Sequence, residues 1–336
     1  MTTGKPAALW TPPGALEVSR RLALLQACEG ATLAASTLHL FWDFFGTLGG
    51  RPATIYVDAE TYPVALWGVE RARARGARVH SFAHQDADDL RRLLRQRARA
   101  GPAQIVVTDG FCPDCGRAAP LADYLAAARS CGGLLVVDDT QALGIFGERA
   151  GRDAPYGGGG GGLLRWYGLE DPHVLAISSL AKGFGVPLAV MAGGADVVRR
   201  FTEMSETSVH CSPPDAAALG AARLALEINS RAGDELRRRL ARRVRAFRRR
   251  LREAGLACTG GLFPVQTLEV ADHTARRLYL RLRRAGMQAV LRRTHTGEGA
   301  KLSFIITARH RPCDIDQAAG LILGCLNLKR GQAKRR

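Results

Sequence analysis

From Arg51 to Gly194, short apolar runs rich in β-branched residues alternate with longer amphipathic stretches, and this alternation admits few folds. The runs ATIYVD (53–58), ARVHSF (77–82), QIVVTD (104–109), GLLVVDD (133–139), HVLAISS (173–179) and PLAVMAGG (187–194) have the length and composition of strands. Between them, PVALWGVERARARG (63–76), DADDLRRLLRQRARA (86–100) and a stretch around 120–131 space their apolar residues as helices do. Strands that read as continuous apolar runs are covered on both faces, which is the condition of a parallel sheet between helices. The expected class is α/β, a mainly parallel sheet sandwiched by helices, with ligands at the carboxyl ends of the strands.

A long helix is expected from about Asp215 to Ala254, leading out of this sheet. Beyond it, QTLEVAD (266–272), a helix to Ala285, MQAVLRR (287–293), KLSFIITA (301–308) and a last helix from Cys313 predict a small α+β domain. The expected division is a large domain over 1–225, a small one over 226–328, and a disordered basic tail over 329–336. GGGGGG (157–162) opens neither a helix nor a strand turn, so it reads as a flexible insertion and not as a phosphate loop.

With 336 residues, 46% hydrophobic and 24% charged, the chain has the composition of a folded globular protein. Its 48 Lys+Arg against 31 Asp+Glu raise the question of a nucleic-acid partner. Much of the excess, however, lies in ELRRRLARRVRAFRRRLREAG (235–255), where Leu236, Leu240, Val244, Phe247 and Leu251 form one apolar stripe on a solvated basic helix. Nucleic-acid binding is therefore not expected. No apolar run reaches the length of a membrane span and no leader pattern opens the chain, so a soluble cytoplasmic protein is expected. Of eight cysteines only Cys112 and Cys115 have two-residue spacing, and without a second such pair no metal site is expected.

Among the few lysines, Lys182 alone lies in the middle of the α/β region, in SSLAKGFGVP after an apolar strand. Its amine is expected to enter a desolvated cleft, where burial would depress its pKa and make it a nucleophile for Schiff-base chemistry. Asp138 ends GLLVVD at the same sheet edge, and an acid there needs a cation or donor to meet it. A protonated pyridine nitrogen is such a partner, which makes pyridoxal phosphate (PLP) the cofactor to consider. Helix capping by Asp138 or Asp139, and a plain surface position for Lys182, are the alternatives.

VDDTQALGIFGERAGR (137–152) resembles the V-D-E-A-H-S-x-G-V-x-G-x-x-G-x-G segment of the α-oxoamine synthases, PLP enzymes of the aspartate aminotransferase superfamily, fold type I. That family includes 8-amino-7-oxononanoate synthase, 2-amino-3-ketobutyrate CoA ligase and serine palmitoyltransferase. SSLAKGFG (178–185) resembles the family's lysine motif. VDAETYPVALWG (57–68), FAHQDADDL (82–90) and VVTDGFCPDCGRAAPL (106–121) continue the likeness in order, over roughly residues 30–320. The resemblance implies that Lys182 forms the internal aldimine and that Asp138 keeps the pyridine nitrogen protonated. It implies that Ser179 and the Ser36, Thr37 and Leu38 segment hold the phosphate, and that Tyr62 takes the place of a ring-stacking histidine. Gln141 replaces a histidine on the phenolic oxygen, and Cys112 a serine near it. Ser303 stands where the family has the arginine that binds the amino-acid carboxylate, a contact that Arg292, Arg293 or Lys301 could replace, with His295 as a polar substrate contact. The N-terminus is shorter than the family's and is expected to lack a segment lining the acyl-CoA entrance.

Three functions follow from the resemblance. The first is an acyltransferase joining an amino acid to an acyl thioester, carried by CoA or an acyl-carrier protein. The second is an aminotransferase, or another PLP reaction, on a carboxylate-free or carrier-bound amine. The third is a degenerate homologue without catalysis. A homodimer is implied, with Ser208 or His210 of SETSVHCSPP (205–214) reaching the other subunit's cofactor.

Overall fold

The computed structural model describes residues 4–48, 52–97, 101–293 and 299–326. The expected contact His295 and the tail over 329–336 lie outside them. Along the chain, a 3₁₀ turn (Ala7–Leu9) precedes α1 (Ala15–Gln26), β1 (Gly30–Ala34), α2 (Thr37–Gly46), β2 (Ala53–Asp58), α3 (Pro63–Ala74), β3 (Arg78–Phe82) and α4 (Ala87–Arg97). Then come β4 (Ala103–Asp109), β5 (Phe111–Cys112), β6 (Arg117–Ala118), α5 (Leu121–Arg129), β7 (Leu134–Asp138), α6 (Gly162–Tyr167), β8 (Val174–Ser179), β9 (Ala189–Gly193), α7 (Ala195–Met204) and α8 (Glu206–His210). The 38-residue α9 (Ala216–Glu253) is followed by β10 (Val265–Ala271), α10 (Asp272–Arg284), β11 (Val290–Arg293), β12 (Gly299–Ile305) and α11 (Pro312–Cys325). The chain divides into two compact units; the second takes Glu235 onward together with Pro113–Arg117 and Arg152–Pro155, so the division falls inside α9.

In the first unit a seven-stranded sheet has the order β1-β9-β8-β7-β4-β2-β3. All pairs are parallel except those of β9, which runs antiparallel to both β1 and β8. Every residue of β2 and β9 is buried, as the uninterrupted apolar runs require. On one face, Phe41, Phe44 and Phe45 of α2 and Ala65 and Val69 of α3 pack on Ile55, Val107, Val136 and Ile177. On the other, Val18 and Leu22 of α1 and Leu219 and Leu226 of α9 pack with Leu180, Val190 and Ala192.

A buried ion fixes the α7–α8 corner to α2. The Asp43 carboxylate accepts hydrogen bonds from the Ser205 and Thr207 hydroxyls, both at 2.5 Å, and from the Thr207 amide at 3.1 Å. Arg71 lies 3.8 Å from the same carboxylate, pairs with Glu206, and sets its guanidinium 4.5 Å over the Trp42 ring. The segment 205–210, expected as a reaching loop, is therefore the short helix α8 and its cap.

The glycine run is not a loose insertion. Glu148 bridges Gly158 and Leu143 bridges Gly161, while Gly162 donates its amide to Phe146 at 2.8 Å. Gly157 and Gly162 have φ of +73° and +82°, and a side chain on Gly162 would collide with the Asp139 carboxylate. Only glycine lets this strip close against 143–148.

In the second unit β10, β12 and β11 form an antiparallel sheet in that order. Leu240, Val244, Phe247 and Leu251 of α9 are buried, with Phe247 and Phe304 rings 5.6 Å apart. Leu236 is half-buried, and Arg237 is buried where a fully solvated basic face was expected.

Candidate active site

The carboxyl edge of the parallel strands gathers the residues singled out in the sequence. β7 ends at Asp138 and the adjacent β8 at Ser179, with Asp138 in register with Ile177. Ala189 of β9 pairs with both Ser179 and Ala34, so β8 and β1 end at the same level and Ser36 lies just past that edge.

Asp138 is buried, and its Oδ1 accepts the Thr140 amide at 3.0 Å. Burial pushes its carboxyl above the usual carboxylate range, opposed by hydrogen bonds from Thr140 and by the positive charge of Lys182. The Lys182 charge is the weakest of these influences on Asp138. The Thr140 hydroxyl also accepts the Ser179 amide at 3.0 Å, tying the β7 exit to the β8 exit. The next turn is packed onto the same segment: a Cβ built on Gly183 would lie 2.2 Å from the Leu143 carbonyl oxygen and 3.0 Å from the Gly144 Cα. Backbone contact thus sets the Lys182 turn against the turn that carries Gln141. Lys182 itself is exposed, not desolvated as expected.

Tyr62 is the N-cap of α3, 56% exposed, with its amide donated to Asp109 Oδ1 at 3.1 Å. Asp109 ends β4 in register with Asp138. Its carboxyl is pushed up to about 8, first by burial and then by the charge of Asp138. Gln141 is half-buried beyond Asp138, and Cys112 is buried on β5, outside any disulfide.

Ser36 is the N-cap of the ten-residue α2, and Thr37 and Leu38 are its first turn. The Ser36 hydroxyl bonds His39 Nδ1 at 2.8 Å and caps no amide of the helix. The opening amides of a helix lack intrahelical acceptors, and its dipole favours an anion there. Ser179, whose hydroxyl accepts the Ala181 amide at 3.2 Å, stands at the neighbouring strand end. A buried acid suited to a cationic ring nitrogen, an amine that acts on it, and a free helix N-terminus make a donor set that fits PLP.

The remaining expected contacts lie as follows. Ser208 bonds locally, its hydroxyl donating to the Ser205 carbonyl at 2.7 Å, and His210 is exposed at the end of α8. Ser303 is buried in β12 with its hydroxyl 2.8 Å from that of Thr267. Arg292 is held by both oxygens of Asp114, at 3.1 and 2.5 Å. Lys301 is half-buried and lies opposite Arg292 and Glu269 in the ladder. Sequence reasoning did not single out Thr140 or Asp109; Asp109 ends an apolar strand, the signal that marked Asp138, whereas Thr140 lies two residues beyond the end of β7.

The chain is 28% identical over 310 residues to an 8-amino-7-oxononanoate synthase of Citrifermentans bemidjiense, covering 91% of this chain and 76% of that protein. It is 34% identical over 255 residues to the enzyme of the same name from Klebsiella pneumoniae, covering 74% of this chain and 62% of that one. In fold it matches the serine palmitoyltransferase of Sphingomonas wittichii with a TM-score of 0.85 at 21% identity, over 97% of this chain and 79% of that one. An 8-amino-7-oxononanoate synthase from Francisella tularensis matches with a TM-score of 0.76 at 16% identity, over 94% of this chain and 88% of that one. Residues 26–320 match the model of class I and II aminotransferases, and the chain belongs to that family.

Proposed function

We propose that the protein is a PLP-dependent transferase of the α-oxoamine synthase type, joining an amino acid to an acyl thioester carried by CoA or an acyl-carrier protein. The observation that carries this is the Lys182 turn packed on the segment from Asp138 to Gly144, with the Lys182 charge acting on the buried Asp138. PLP supplies an electron sink for a carbanion at the substrate Cα.

The residues then divide the work. The Lys182 amine would hold the cofactor and would serve as the base for the substrate Cα proton. Asp138 holds the ring-nitrogen proton, a role suited to a carboxylate whose burial leaves it short of counter-charge. Thr140 keeps Asp138 and the Ser179 amide in fixed relation. The exposed Tyr62 ring would offer an aromatic face to the cofactor. The Gln141 amide donates to the phenolic oxygen and, unlike a histidine, does not titrate near neutral pH. The α2 amides with Ser36 and Ser179 bind the phosphate. We further propose a homodimer: Leu38, Trp42, Tyr62 and Trp67 leave an exposed apolar face on α2 and α3 beside the site. Among the described residues, no helix is long and apolar enough to cross a membrane.

One observation favours a second reading. Ser303 is buried and bonded to Thr267, which offers no cation for a substrate carboxylate at that position. Transamination of a carboxylate-free or carrier-bound amine needs the same Lys182 and Asp138 without that arginine.

Purified protein loaded with PLP is expected to show a visible absorbance band that borohydride abolishes and Lys182→Ala removes. Carbon dioxide release with an amino acid and a thioester supports the synthase. Conversion to a pyridoxamine form on addition of an amine supports transamination. Failure of Lys182→Ala to change the band overturns both.

A further inference from the structure

Asp109 has no assigned part in the chemistry above, yet its surroundings are specific. β4 and β7 are parallel neighbours, and Asp109 and Asp138 are partners in their register, so the two carboxyls leave the sheet side by side. Strands in a sheet lie about 4.8 Å apart, and residues in register on parallel strands point to the same face. Asp58 ends the next strand, β2, but its carboxylate is engaged by the Glu60 and Gln85 amides and by His84 Nδ1 at 2.7 Å. Asp109 receives the Tyr62 amide, and among the described residues no ammonium or guanidinium is bonded to it. The charged and titratable groups facing it are Asp138 of β7, Asp58 of β2 and His84 beyond β3, and only His84 favours its ionised form. Asp138 in turn feels Lys182.

Two carboxylates this close repel each other strongly, and the cheaper state keeps one proton between them. We propose that Asp109 and Asp138 form a carboxyl pair carrying a single negative charge, and that Asp109 is a positioning residue which fixes Tyr62 at the start of α3. The proposal rests on the reading of this edge as the PLP site. Binding of a cationic ring nitrogen at Asp138 adds positive charge beside the pair and makes the second ionisation easier. Cofactor binding therefore draws a proton off Asp109, and the pair acts as a charge buffer for the ring.

The test uses full-length protein labelled with ¹³C at the aspartate carboxyls, titrated by NMR before and after PLP is added. Without PLP, one carboxyl is expected to titrate near pH 8, consistent with burial beside Asp138. It vanishes in Asp109→Asn and moves down, towards the ordinary carboxylate range, in Asp138→Asn. Addition of PLP moves it down in the wild type. If no aspartate titrates above pH 6, or if Asp138→Asn leaves the midpoint in place, the pair is overturned. Because these measurements precede cofactor, they stand even when PLP fails to bind; that failure would sink the cofactor reading alone. Asn at 109 keeps an oxygen for the Tyr62 amide and Ala does not. Asp109→Ala is expected to weaken PLP binding about tenfold relative to Asp109→Asn, as loss of one hydrogen bond implies. Equal affinities overturn the positioning role.

Discussion

Substituting Gly183 by alanine tests whether backbone packing holds the reactive amine. The added methyl would lie 2.2 Å from the Leu143 carbonyl oxygen. Close carbon–oxygen contacts in proteins begin at about 3.3 Å, so roughly 1 Å of relief is needed. Neither side yields easily: Leu143 donates its amide to the Asp139 carbonyl at 2.9 Å and is fully buried, so the Lys182 turn must move. Overpacking of this kind costs about 1–3 kcal/mol of stability. A displacement of about 1 Å at a reacting group lowers the rate by about 10²-fold. The expectation is a folded protein with a slightly lower Tm, a weakened or shifted PLP band, and kcat/KM down by about two orders of magnitude. These are measured by circular dichroism, absorbance titration and steady-state kinetics. An alanine variant with the wild-type band and wild-type kcat/KM would refute the idea that this contact sets the Lys182 position.

Other outcomes follow from the same geometry. Asp138→Asn should weaken PLP binding by about 3–5 kcal/mol, measured by equilibrium titration, because the ring-nitrogen cation loses its buried partner. The same change should raise the Tm of cofactor-free protein at neutral pH, since it removes a carboxyl whose charge burial disfavours. Asp109 has a folded pKa of about 8, above the unfolded value, so the folded state holds a proton the unfolded state has lost. Cofactor-free protein should therefore lose stability as pH rises from the ordinary carboxylate range to about 8, by at most about 5 kcal/mol, and Asp109→Asn should flatten that slope in denaturant titrations. Asp43→Ala should cost about 3–5 kcal/mol by leaving Arg71, Ser205 and Thr207 without their shared acceptor, read as a drop in denaturation midpoint. Ser303→Ala should cost about 1 kcal/mol through the lost Thr267 bond and leave kcat/KM unchanged.

Much of the fold was legible because local pattern and burial agree. ATIYVD was expected as a strand and is β2 residue for residue, and the site strands ending at Asp109, Asp138 and Ser179 end where their apolar runs end. β1 was missed because GATLA is short, small and only half-buried, and its place comes from pairing with β9. The reversed direction of β9 was equally hidden, since an apolar run carries no polarity. Lys182 and Asp138 stood out because each is a lone charge at the end of an apolar run. Thr140 acts through a partner 39 positions away, which no local spacing reveals. The glycine run misled for a related reason: its order comes from a facing strip of backbone, not from its own side chains.

That strip has a consequence for how the chain can vary. Because Leu143–Gly161 and Glu148–Gly158 are joined as facing positions, the number of glycines is as constrained as their identity. Gain or loss of a single residue in the repeat would slide one rail past the other and pull the Leu163 amide away from Asp139, the fully buried neighbour of Asp138. A tract that looks like the most expendable part of the molecule is a fixed-length spacer, and insertions tolerated by ordinary surface linkers should be rejected there.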